Sequence, residues 1–230
     1  MDEPLFSPGR VEVAPGAVHV PGWLDLEEQR ALVDLCREWM RGPGGMTRHR
    51  TRGGTMSVAM TSLGWYWRPY RYSATLPDGR PVPPLPPVLS TLALRGLAAA
   101  YGTVPAPAPA YDVALVNFYA ATATMGMHRD TDERTDAPVV SVSLGDTCVF
   151  RFGNTATRTR PYTDVELRSG DLFVFGGPSR WAYHGVPRVF AGTANPALGL
   201  ESGRINITVR ASGLPPAERG PAGASSSEAV

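Results

Sequence analysis

From residue 111 onward the chain is built of short apolar runs separated by turn residues: YDVALVNFY, PVVSVSLG, TCVFRFG, TDVELRSG, DLFVFGG and RINITVRAS. Runs of this length, bounded by Gly, Pro, Asn and Asp, predict strands. Their regular spacing predicts an antiparallel jelly roll rather than βαβ units. Upstream the period changes. Over residues 24–41, Leu32, Leu35 and Trp39 recur at helical spacing and Asp25 with Glu28 forms a capping arrangement, so a helix is expected there. The stiff stretch RPVPPLPPV (80–88) leads into a second expected helix, LSTLALRGLAAAY (89–101), and VPAPAPA is another proline-rich connector. The expected fold is mainly β with flanking α. One structural domain is expected, made of an N-terminal α/β extension (1–110), a jelly-roll core (111–212) and a tail (213–230) with the composition of a disordered segment.

Composition narrows the chemistry. With 230 residues, 43% hydrophobic and 19% charged, the chain can bury a proper core as one large domain. The net charge is only +1, but all 22 basic residues are Arg. Schiff-base, pyridoxal-lysine and P-loop mechanisms each need a Lys and are excluded. Cys36 and Cys148 lie far apart, which suggests neither a zinc cluster nor a disulfide framework. The start, MDEPLFSPGR, is acidic and has no apolar run, so no signal peptide is expected. No stretch approaches a membrane span, and a cytoplasmic monomer is the expectation.

Three motifs carry candidate chemistry. In MHRDT, His128 and Asp130 point the same way if the segment is extended. His184, in WAYHGV, follows a strand-like run and a GGPSR turn, and a jelly roll can fold that strand end back beside the first. Two His and one carboxylate on one face, with other positions open, is the facial triad of non-haem Fe(II) oxygenases. In GRINITVRAS the residues Arg204, Asn206, Thr208 and Arg210 share one strand face, and Ile205, Ile207 and Val209 share the other. The two arginines lie ~20 Å apart along the strand at 3.3 Å per residue, leaving room for a short dicarboxylate held at both ends. Asn117 and Tyr119 share a face in LVNFY and both can hydrogen-bond a ligand. Taken singly, an H-x-D is also a common surface turn, His184 a core histidine, and the arginine strand a solvated edge. Their order along one chain is what separates these readings.

With these motifs in this order, the sequence resembles the AlkB family of Fe(II)/2-oxoglutarate dioxygenases, which remove alkyl groups from nucleic-acid bases. The resemblance runs from about Arg52 to Ser212 and includes GGTMSVAMTSLGW, LVNFY, MHRDTDE, APVVSVSLG, SGDLFVFGGPSRWAYHGV and RINITVR. It implies a double-stranded β-helix whose N-terminal extension forms a nucleotide-recognition lid. It further implies that His128, Asp130 and His184 hold Fe(II). Arg204 and Arg210 would bind 2-oxoglutarate, helped by Asn117, Tyr119 and Asn206, with O2 as the other co-substrate. The implied reaction is oxidative demethylation of N1-methyladenine and N3-methylcytosine in DNA, releasing succinate, CO2 and formaldehyde. Phe118 and the 157–163 loop depart from the family pattern, and the likeness is weak before Arg52.

The partner implied is nucleic acid, and the residues upstream agree with it. Between Arg41 and Arg71 there are six arginines, one His and no acid, interleaved with GWYWRPYRY, five aromatics in nine residues. Basic side chains contact phosphates and aromatic faces stack on bases. Tyr66 and Trp67 read as the apolar core of a flap. By resemblance Trp65 would stack on the flipped base, Tyr70 and Tyr72 would line its pocket or contact phosphate, Asp132 would meet it from the floor, and Arg158 would contact substrate, with Arg160 close by. The same chemistry on RNA or on a small molecule, and a binding module without iron, are the competing readings.

Overall fold

A computed structural model describes residues 9–51 and 53–215. Arg52, and the tail expected beyond 215, lie outside the described residues. The larger of two sheets has seven strands in the order β1 (Val11–Ala14), β2 (Ala17–Val20), β13 (Leu172–Phe175), β10 (Val139–Gly145), β15 (Arg204–Arg210), β8 (Val113–Tyr119) and β5 (Ala59–Leu63). The smaller has four, β12 (Thr163–Leu167), β11 (Thr147–Phe152), β14 (His184–Phe190) and β9 (Met125–His128). Two short hairpins, β3 (Arg50–Thr51) with β4 (Gly54–Thr55) and β6 (Tyr66–Arg68) with β7 (Arg71–Ser73), belong to the N-terminal part. The strands pair antiparallel, as a jelly roll requires. Because β1, β2 and β5 complete the larger sheet, the N-terminal extension and the core share one sheet.

Alternation along the strands builds both faces. Val140, Val142 and Leu144 of β10, Leu172 and Val174 of β13, and Ile205, Ile207 and Val209 of β15 join one core with the helices. The intervening Val139, Phe173 and Phe175 point the other way, into a second cluster with Phe150, Phe152 and Val186 of the smaller sheet. This period-2 pattern on strands covered on both sides leaves every residue of β10 and β15 buried. Full burial of each such side chain contributes roughly 1.5–3 kcal/mol. The polar positions of β15 therefore face the interior between the sheets.

Two helices cover the outer face. Helix α1 (Leu26–Arg41) starts where its sequence requires: the Glu28 N–H donates to Asp25 Oδ1 at 2.8 Å, and the Asp25 N–H donates to Glu28 Oε2 at 3.2 Å. Helix α2 (Pro87–Tyr101) begins two residues before the expected 89, because a proline at the first turn has no N–H to leave unpaired. Gly96 lets it approach the sheet, since a Cβ there would lie 3.0 Å from Val140 Cγ1 and 3.2 Å from Leu172 Cδ1. None of the helices among the described residues is long and apolar enough to cross a membrane.

Candidate active site

His128 ends β9 and His184 begins β14, and the two are cross-strand partners in an antiparallel pair whose register shifts just beyond them. Asp130 follows β9 by two residues. Its Oδ1 lies 3.7 Å from His128 Nε2 and its Oδ2 lies 3.6 Å from His184 Nε2. One ligand atom from each residue falls within 4.8 Å of the others. The strands approach this closely because residue 185 is glycine: a Cβ there would lie 2.7 Å from the Met125 carbonyl oxygen. A bulge beside a site is a common way of aiming side chains.

Hydrogen bonds fix how the imidazoles face. His128 Nδ1 lies 3.0 Å from the Gly126 carbonyl and His184 Nδ1 3.0 Å from the Ala182 carbonyl. A carbonyl only accepts, so each Nδ1 carries the proton and each Nε2 presents its lone pair toward Asp130. Burial, then the neighbouring His128, lowers the His184 pKa from 6.5 to about 4, which keeps it neutral and able to ligate. Burial alone would raise Asp130, but Arg210, followed by His184 and His128, outweighs it and holds the carboxyl at about 2. Two imidazoles and one carboxylate are the donor set of a facial-triad Fe(II) site.

The inner face of β15 meets polar residues on both neighbours. Arg204 pairs with Tyr119 across to β8, and Asn206 with Asn117 on one side and Ser143 on the other. Arg204 is 1% exposed, donates from Nη2 to Ser143 Oγ at 3.0 Å, and sits 5.0 Å over the Tyr119 ring. Its Nε and Nη1, the Nε of Arg210 and the Oδ1 of Asn117 are buried without hydrogen-bond partners. Unsatisfied buried donors on two arginines are what a cavity built for a dicarboxylate presents before its ligand arrives. 2-Oxoglutarate fits this set. Asn206 differs from the expectation: it donates to Ser141 Oγ and the Val142 carbonyl while its Oδ1 accepts from Asn117 and Thr208. Saturated in this way, it orients its neighbours and has no atom left for a ligand.

Arg210, at the other end, sits beside the candidate ligand Asp130. Its Nη2 is 2.8 Å from Asp130 Oδ2 and its Nη1 donates to Glu133 Oε1 at 3.1 Å. Burial opposes its charge, but Asp130 and Glu133 more than compensate and it stays protonated. Glu133, completely buried as a side chain, also accepts from Arg180 at 3.1 Å and from the Tyr72 hydroxyl at 2.5 Å. Neither Glu133 nor Arg180 stands out in the sequence as a site residue. Glu133 lies three residues past a ligand, and Arg180 lies in the turn before another. Only the fold shows that they meet.

The aromatic flap departs from expectation at one point. Trp65 donates its indole N–H to Asp112 at 3.1 Å, and Asp112 also accepts from the backbone N–H and hydroxyl of Ser212. The indole that reaches Asp132, the residue expected at the pocket floor, belongs to Trp67, which donates to it at 2.8 Å. Trp67 and Tyr72 are cross-strand partners in the β6–β7 hairpin. Residues 65 and 67 fall on one face of an extended segment, so pattern alone does not choose between them; hairpin register does. Tyr66 packs with Leu76 and Val82 as the core of the flap, and His49 stands edge-on to Trp67 at 5.1 Å.

Tyr72 is tied to Glu133, while Tyr70 occupies the hairpin tip, 61% exposed, with a positive φ of 73° that follows Pro69 in a type II turn. Burial raises Asp132 above the usual carboxylate range, opposed by the Trp67 hydrogen bond. Arg158 lies 5.8 Å from the ring of Tyr183, the neighbour of His184, and Arg129 lies 4.5 Å over the same ring. Arg160 instead sits over Tyr162 at 5.3 Å, which separates the two loop arginines.

Comparison with known proteins places this geometry. Residues 16–210 match the 2OG-Fe(II) oxygenase superfamily. An alpha-ketoglutarate-dependent dioxygenase AlkB homolog of Caulobacter vibrioides is 40% identical over 205 residues, covering 86% of this chain and 88% of that protein. The alpha-ketoglutarate-dependent dioxygenase AlkB of Escherichia coli is 39% identical over 171 residues, or 71% and 76% of the two chains. The DNA N(6)-methyladenine demethylase ALKBH1C of Arabidopsis thaliana is 33% identical and aligns with 86% of this chain and 49% of its own. The solved structure of OsALKBH1 superposes with a TM-score of 0.80 at 32% identity, covering 88% of this chain and 99% of that one. The chain therefore belongs to the AlkB family within the 2OG-Fe(II) oxygenase superfamily and is a dioxygenase that uses Fe(II), 2-oxoglutarate and O2.

Proposed function

We propose that the enzyme demethylates alkylated bases in DNA, with N1-methyladenine and N3-methylcytosine as substrates. The observation that carries this reading is the pairing of Trp67 with Asp132, an aromatic plane and a carboxylate held together two residues from the iron ligand Asp130. Both lesions are cations. An aromatic face attracts a cation, and a cation against Asp132 favours its charged form, which burial alone disfavours. Both methylations break Watson–Crick pairing, which lowers the cost of bringing the base out of the stack.

The chain's own residues have distinct parts. His128, Asp130 and His184 would hold iron, and Arg204 and Arg210, with Asn117 and Tyr119, would orient 2-oxoglutarate. Trp67 and Asp132 would set the base so that its methyl faces the metal, with Tyr72 fixing the hairpin. When bound, iron would let O2 oxidise two partners at once, 2-oxoglutarate to succinate and CO2 and the methyl carbon to a hydroxymethyl group, which would leave as formaldehyde. Arg48, Arg50 and Arg71 are exposed and, among the described residues, have no acid within ion-pair distance, which suits contacts to phosphates. Arg158 at the rim of the site supports the same use.

A second reading comes from the similarity to DNA N(6)-methyladenine demethylases. That base is neutral, so a carboxylate can accept from its remaining N6–H but gains no charge attraction. The test is formaldehyde release and mass change on single-stranded oligonucleotides carrying one N1-methyladenine or one N6-methyladenine, with and without 2-oxoglutarate. Oxoglutarate-dependent loss of the N1-methyl group is expected. Turnover of 2-oxoglutarate without change in any DNA substrate would overturn the proposal and turn attention to RNA and small molecules. Two buried free cysteines suit a reducing cytoplasm, where we place the enzyme as a monomer.

A further inference from the structure

We propose that Arg180 is a positioning residue of the iron site. It fixes the metal carboxylate through the main chain of Asp130, and the co-substrate arginine Arg210 through Glu133. Arg180 is, with Arg204, among the largest fully buried side chains and is 1% exposed. It donates from Nε to the Ala137 carbonyl at 2.8 Å, from Nη1 to the Asp130 carbonyl at 3.2 Å, and from Nη2 to Glu133 Oε2 at 3.1 Å. All three acceptors belong to the segment 130–137, which begins with the iron ligand. Arg180 itself lies four residues before His184, and the Ala182 carbonyl between them orients the His184 ring. One guanidinium thus joins the segment that ends in one ligand to the segment that starts with another.

The far side of the network reaches the co-substrate. Glu133 takes Arg180 on one carboxylate oxygen and Arg210 on the other, and Arg210 in turn pairs with Asp130. Two acids and two arginines balance in charge, and each arginine is held by more than one acceptor. A buried charge is a costly way to pin a loop, and apolar residues commonly do as well or better for stability alone. What a planar fork with fixed donor directions adds is geometry. The partners it selects here are one ligand's carbonyl and the carboxylate that aims the co-substrate arginine.

The proposal predicts effects on binding, measurable without nucleic acid, so its failure is distinct from failure of the base-repair reading. Mn(II) titration, following the free ion by electron paramagnetic resonance, gives the metal dissociation constant. 2-Oxoglutarate titration of the Mn(II)-loaded protein gives the second constant. Arg180→Lys keeps the charge and loses the fork; we expect Mn(II) affinity to fall on the order of 10–100-fold, the usual effect of losing a residue that supports metal ligands. Glu133→Gln is expected to weaken 2-oxoglutarate more than Mn(II). His19→Gln, which removes a buried partner of Asp171 at 2.9 Å outside the site, is expected to lower Tm and leave both constants unchanged. The proposal is overturned if Arg180→Lys and Glu133→Gln fold, lose stability as His19→Gln does, and bind both ligands like the wild type. Should Arg180→Lys fail to fold, the isosteric Glu133→Gln decides: 2-oxoglutarate and Mn(II) constants like the wild type's overturn the proposal.

Discussion

In the proposed function, Asp132 and Trp67 carry the choice of base. Replacing the carboxylate by an amide leaves a group of the same shape that Trp67 can still reach, so Asp132→Asn isolates charge from packing. Activity on N1-methyladenine is expected to fall about 10–100-fold in kcat/KM, the range for losing one charged contact of 1.5–3 kcal/mol, with Mn(II) affinity unchanged. Equal loss on a neutral methylated base would show that charge is not what Asp132 reads. At this scale the sequence was legible where chemistry is local. His128 and Asp130 need only an extended segment, and Arg204 and Arg210 only a strand. Trp67, Glu133 and Arg180 were not legible, because each is defined by a partner brought in by the fold: Asp132 across from a hairpin, Arg210 from another strand, Asp130 from a distant loop.

At the scale of elements, the β9–β14 pair is held close by one glycine. Gly185 sits next to His184 with the Met125 carbonyl 2.7 Å from where a Cβ would be, and the Gly126 carbonyl carbon and oxygen each at 3.0 Å. These are backbone atoms and cannot swing aside. Gly185→Val should therefore push β9 from β14 and separate the two histidines. A stability loss of about 1–3 kcal/mol is expected, together with weaker Mn(II) binding, measured by denaturant titration and metal titration of the same sample. A variant that is destabilised yet binds metal normally would show that the histidines do not depend on this approach. The strands themselves were readable from alternating residues, whereas their pairing was not. Nothing in WAYHGV says that it will lie against MHRDT until the sheets close, and α2 started early because of a proline that pattern alone assigns to the connector.

For the whole molecule, acid is the condition that exposes the site. His184 falls from its ordinary 6.5 to about 4 on folding, so between these values the unfolded chain takes up a proton that the native state refuses. The metal-free protein should be fully stable with respect to this group above pH 6.5 and lose that contribution as pH falls toward 4. Thermal unfolding across that window is expected to show a drop in Tm that is shallower in His184→Gln. Equal slopes would mean that His184 is not held neutral in the native state. Added Mn(II) should raise Tm at neutral pH and lose this effect on acidification, since ligands must be deprotonated to bind.

The unsatisfied guanidinium of Arg204 has a consequence for which acid the enzyme accepts. Held between Ser143 and the Tyr119 ring, at the opposite end of β15 from Arg210, it cannot follow a shorter molecule inward. If Arg204 and Arg210 hold the two carboxylates as proposed, the strand would work as a gauge of carbon-chain length. Oxaloacetate and pyruvate offer the same 2-oxo carboxylate at the metal end, but neither brings a second carboxylate far enough to meet Arg204, which then stays buried and uncompensated. The expected outcome is that 2-oxoglutarate supports turnover where oxaloacetate and pyruvate do not, with discrimination among 2-oxo acids set by the register of one strand.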